Sequence, residues 1–83
     1  MASKPTQRTF RIHHRPDGRY EIRNEHPKDS PLGVGRSLNM ALGTAHREAT
    51  AASRDDGCAV AIEVQQPDGK WKRRDVILPP KRA

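Results

Sequence analysis

Aromatic side chains are scarce in this sequence, with one Phe, one Tyr and one Trp among 83 residues. The hydrophobic fraction is only 33%, so a large dry interior is excluded. A small domain buries proportionally little of its surface, and a core built from this set is thin. Such a core leaves little room for an enclosed, preorganised catalytic pocket. Cysteine occurs once, at Cys58, which rules out an internal disulfide. A lone cysteine suits a reducing cytosol, where it serves as a small buried apolar residue. No local motif marks it as a nucleophile. No apolar run approaches the roughly 20 residues that span a bilayer. The opening Met1-Ala2-Ser3-Lys4-Pro5 has no apolar segment of the kind a secretion signal needs. These absences predict one cytoplasmic domain without a membrane contact, a cofactor or a catalytic role.

Negative charge is also in short supply. Ten acidic residues face sixteen Lys and Arg, a formal net charge of +6. That balance favours acidic partners: nucleic acid, an anionic membrane surface or an acidic protein. It also keeps a small domain soluble without any partner. Arginine outnumbers lysine, as in proteins from GC-rich bacterial genomes.

What the sequence does have is a repeated turn. Pro16-Asp17-Gly18-Arg19-Tyr20 and Pro67-Asp68-Gly69-Lys70-Trp71 share the pattern Pro-Asp-Gly-basic-aromatic. Pro presets the first turn position, Asp bonds back to the backbone, and Gly accepts the left-handed geometry that follows. Each copy predicts a hairpin built on a type I turn closed by a glycine bulge.

The flanking residues agree with this. Phe10 and Ile12 alternate with Arg11 and His13 before the first turn, and Tyr20 and Ile22 return after it. The turn then sets the register. It pairs His14 with Tyr20, Ile12 with Ile22, Phe10 with Asn24, Arg11 with Arg23, and Arg15 with Arg19. Two Pro and two Gly punctuate residues 25–35, which therefore read as a loop.

Leu38, Ala41, Leu42, Ala45, Ala49 and Ala52 recur at helical spacing, with Ser37 as N-cap and Gly57 as stop. So Ala-rich a stripe lets the helix approach a sheet closely. Val60, Ile62 and Val64 alternate in a third strand. In the second hairpin the same register pairs Gln65 with Trp71, Val60 with Val76 and Cys58 with Leu78. Pro79-Pro80 ends that strand.

The expected fold is α+β of ββαββ type, with one helix packed on a four-stranded, mainly antiparallel sheet. Residues 1–7 are expected to be a disordered leader, 8–78 the domain and 79–83 a basic tail. The two turns do not imply a duplication. Aligned on them, Ile12 and Ile22 correspond to Glu63 and Arg73, so the apolar phases disagree.

Three groups of residues are candidates for function. The first is the sheet face opposite the core, where Arg11, Arg15, Arg19 and Arg23 gather on the first hairpin. Trp71 and Arg73 join them from the second, flanked by Lys70 and Lys72. Like charges directly opposite each other are destabilising, so a sequence that tolerates two such pairs points to a positive surface. An aromatic among cations suits phosphates and a stacked base. The same charges also serve as a solvated face that resists edge-to-edge aggregation. The second candidate is Gly33, Gly35, Arg36 and Ser37 at the helix start, an anion-binding arrangement that lacks the Gly-Lys-Ser/Thr of a phosphate-binding loop. The third is histidine. His13 and His14 point to opposite faces, His26 and His46 are isolated, and no metal site is expected.

The residues Asp17-Gly18-Arg19-Tyr20-Glu21-Ile22, the Ala-rich helix with Glu48-Ala49, and Asp68-Gly69-Lys70 resemble one group of small bacterial proteins. These are hairpin–helix–hairpin domains, and the likeness spans most of residues 8–78. That group carries no assigned activity, so the resemblance implies a fold alone. The loop Pro31 to Gly35 and the extra basic residues depart from it. The first hairpin by itself is also similar to the DNA-contacting sheet of phage-integrase arm-binding domains, in which the helix follows three strands.

The resulting expectation is weak, backbone-directed binding of DNA or RNA through the basic sheet face. The alternative is a module that binds an acidic protein or dimerises with itself.

Overall fold

The computed structural model describes residues 8–24 and 31–80. The expected leader and the final three residues of the basic tail lie outside them. Six elements follow in order: β1 (Arg8–His14), β2 (Tyr20–Asn24), β3 (Gly33–Gly35), α1 (Leu38–Asp56), β4 (Val60–Gln65) and β5 (Trp71–Ile77). The class is α+β, as the sequence pattern implies.

Both predicted turns form. Gly18 N–H donates to the Arg15 carbonyl at 3.0 Å, and Gly69 N–H to the Gln66 carbonyl at 2.9 Å. The two glycines sit at φ of 87° and 85°, a region that L side chains avoid. Asp17 and Asp68 each accept from the backbone N–H two residues on, at 3.0 and 2.9 Å. The first hairpin has the predicted register throughout, from Phe10 opposite Asn24 to His14 opposite Tyr20.

The sheet corrects the expected architecture in two respects. It has five strands rather than four, in the order β3-β2-β1-β4-β5. It is mixed rather than mainly antiparallel, because the central strands β1 and β4 run parallel. The extra strand, β3, comes from the stretch read as a loop. Three residues, two of them glycine, are too few and too atypical to show strand alternation. These glycines serve close approach. A Cβ on Gly35 would lie 2.7 Å from the Ala41 backbone nitrogen, and one on Gly33 would lie 2.9 Å from Thr44 Cγ2. The parallel pair follows from β3: α1 carries the chain back across the sheet, so β4 starts at the same end as β1.

Helix α1 begins at Ser37, whose hydroxyl accepts from Met40 N–H at 3.2 Å. It ends at Gly57, in the left-handed conformation at φ 65°. Ala41, Ala45, Ala49 and Ser53 form its buried stripe. They pack on Phe10, Ile12, Ile22, Val60, Ile62 and Val64, with Cys58 buried beside them.

Strand β5 holds a third correction. Its predicted register applies near the turn, where Gln65 faces Trp71 and Glu63 faces Arg73. A β-bulge then shifts the pairing by one, so Ile62 faces Asp75 and Val60 faces Ile77, not Val76. Leu78, expected opposite Cys58, is 71% exposed. The extra residue, Arg74, changes which side chains reach the core. Ile77 packs against it and Val76 turns outward.

Candidate nucleic-acid interface

The sheet face away from α1 gathers most of the predicted cations. Arg11 and Arg23 stand opposite each other across β1 and β2, as the register requires. Each guanidinium has its own carboxylate, which relieves the repulsion. Arg11 Nε donates to Glu63 Oε1 at 3.1 Å. Arg23 Nε donates to Glu21 Oε2 at 2.6 Å. Glu63 also accepts from Arg73 at 3.4 Å, and Arg15 lies 3.9 Å from Glu21. The two glutamates thus hold Arg11, Arg23 and Arg73, and Arg15 is shared between Glu21 and the nearer Asp17, 3.6 Å away. Both glutamates are largely covered, with side-chain exposures of 14% for Glu21 and 15% for Glu63.

Trp71 extends from β5 across β4 toward β1. The Arg11 guanidinium lies over its ring at 4.7 Å from the centroid. His13 meets it edge-on, with centroids 4.9 Å apart and planes at 77°. Trp71 is half-buried by these neighbours. A tryptophan flanked by guanidinium and imidazole presents both a π surface and fixed positive charge, the pairing that single-stranded nucleic acids use.

The electrostatics set the protonation states. The hydrogen bond from Arg23 holds the Glu21 carboxyl below its ordinary range, against a smaller opposing effect of burial. Arg23 is correspondingly raised by Glu21. Burial lowers the His13 pKa, the Arg23 charge lowers it further, and Glu21 opposes both. These effects together shift His13 toward its neutral form.

Not every predicted contact joins this cluster. Arg19 and Lys70 sit exposed at the two turns. Lys72 pairs with Val64 and lies on the helix side of the sheet. Its alternation places it there, since Trp71 and Arg73 face outward. At the helix start, Gly33 and Gly35 pair with β2, the Ser37 hydroxyl caps α1, and Arg36 is exposed. Among the described residues, no three His, Cys, Asp or Glu side chains converge. His46 faces Asp75 at 3.3 Å, and His26 lies outside the described residues.

Glu63 is the participant that sequence reasoning passed over. It is the one charge inside β4, and the hairpin register already set it opposite Arg73. Its contact with Arg11 required the parallel pairing of β1 with β4.

No protein-family model, curated protein or solved structure matches the chain. Among the described residues, no helix is long and apolar enough to cross a membrane.

Proposed function

We propose that this is a small, non-enzymatic cytoplasmic domain that binds nucleic acid weakly through the outer face of its sheet. The supporting observation is the gathering of Arg11, Arg15, Arg23 and Arg73 on one sheet face with Trp71, where Arg11 lies over the ring and the arginines are oriented by Glu21, Glu63 and Asp17. Arg19 and Lys70 extend the positive surface at the turns. The contacts are to phosphate, with Trp71 stacking on a base, so affinity follows charge more than sequence. Lys72 lies off this face and drops out of the contact set. The likeness to small bacterial hairpin–helix–hairpin domains brings no activity to this reading.

Titration of Trp71 fluorescence with short single-stranded and duplex DNA and RNA tests the proposal, since Trp71 is the only tryptophan. A saturable response that weakens steeply with salt is expected, and it is lost in the double variant Arg15→Glu, Arg19→Glu. A salt-insensitive response, or none at low salt with light scattering from a dimer, overturns the proposal in favour of protein association.

A further inference from the structure

The helix side of the sheet carries a second feature, which shares no residue with the arginine–tryptophan cluster. A cleft of about 390 Å³ opens between the first turn of α1 and the β4–β5 hairpin. Small-molecule sites occupy roughly 300–1,000 Å³. Leu38, Val64 and Tyr20 supply its apolar surface. His14 stacks on Tyr20 with centroids 4.7 Å apart and planes at 17°. The opposite wall is cationic, formed by Lys72 and Arg74, and no Asp or Glu lines the cleft.

That charge arrangement is the reverse of the outer face. There Arg11, Arg15, Arg23 and Arg73 all have carboxylate partners. Among the described residues, neither Lys72 nor Arg74 forms an ion pair. The β-bulge contributes directly. Alternation from Lys72 brings Arg74 beside the cleft, and the bulge there points Asp75, the acid next to it, at His46 on α1. The two cations are thus separated from the nearest carboxylate of their own strand. The amino end of α1, which starts at Leu38, adds the positive end of a helix dipole. Unpaired cations beside stacked rings match a ligand with a flat ring at one end and a multiply charged anion at the other.

We propose that this cleft binds a nucleoside phosphate, its base against the Tyr20–His14 stack and its phosphate between Lys72 and Arg74. The ligand is either a free nucleotide or one nucleotide of a strand, since the recognised chemistry is the same.

Amide NMR shifts of the full chain, titrated with adenosine monophosphate, adenosine, inorganic phosphate and a trinucleotide, test this. Saturable shifts at Leu38, Val64, Gln65, Lys72 and Arg74 are expected. Adenosine and inorganic phosphate should each bind at least about tenfold more weakly than the monophosphate. Arg74→Glu and Lys72→Glu should each weaken binding by about tenfold or more, with unchanged thermal melts because both side chains are exposed. Arg11→Glu should leave cleft binding intact.

A trinucleotide that gives the same shifts at higher affinity identifies a strand as the source, and equal or lower affinity identifies the free nucleotide. The proposal fails if the monophosphate shifts no cleft residue, if the Lys72 and Arg74 variants bind normally, or if inorganic phosphate binds as tightly as the monophosphate. Shifts confined to Arg11, His13 and Trp71 overturn the cleft while leaving the outer-face proposal standing.

Discussion

Ser53 is the one place where the thin core holds a polar group without a partner. Its side chain is 1% exposed, and among the described residues it is the only buried side chain with an unpaired oxygen or nitrogen. A buried hydroxyl without a partner opposes folding by about 1–3 kcal/mol, and alanine is the better helix former. Ser53→Ala should therefore stabilise the domain by about 1 kcal/mol, raising the midpoint of a thermal melt by roughly 4–8 °C.

His13 and Glu21 make stability depend on pH in two separate windows. Both have folded-state pKa values lowered from their ordinary ones. In each window the unfolded chain binds more protons, so stability is complete above the unfolded value and falls on acidification. The His13 loss begins near pH 6.5 and the Glu21 loss below about pH 4.3. His13→Gln should abolish the first loss and leave the second, as read from melts between neutral and acid pH.

At the scale of elements, the close seating of α1 depends on residues with little or no side chain. Gly35 faces the Ala41 backbone, which cannot move aside as a side-chain end can. Gly35→Ala should cost about 1–3 kcal/mol through overpacking. Gly43→Ala should instead gain about 1 kcal/mol, because it lies mid-helix with open space around its Cα. Chemical denaturation of the two variants should show opposite shifts. Strand β5 offers a sharper comparison. With the bulge, Ile77 packs on the core and Val76 faces outward. Ile77→Ala should cost about 1–2 kcal/mol, and Val76→Ala less than about 0.5 kcal/mol. The reverse order would mean an unbroken register.

For the whole molecule, the arrangement of charge matters more than its total. Four arginines on the outer face are matched by three carboxylates, Glu21, Glu63 and Asp17, whereas the cleft cations stand unmatched. The guanidinium side of each pair is part-exposed and screened by water, which limits its contribution to stability, so the glutamates chiefly orient the guanidinium groups. A single strand held by roughly four phosphate contacts should lose affinity with a log–log salt slope of about −3. Neutralising Arg73 should reduce that slope by about one contact's share without changing base preference. Fluorescence titrations across a salt series measure both effects.

Both hairpins, their turn geometry, the helix with its caps and the pairing of Arg11 with Arg23 follow from sequence alone. Each depends on local rules: glycine and proline dihedrals, period-two and helical alternation, and a turn that sets its own register. Strand β3, the parallel pairing of β1 with β4, the bulge at Arg74 and the double role of Glu63 were decided only by the tertiary structure. These features join residues far apart in the chain, such as Arg11 and Glu63 or Gly35 and Ala41. What selects them is the path of α1 across the sheet and the fit of its alanine stripe, and no local pattern encodes either.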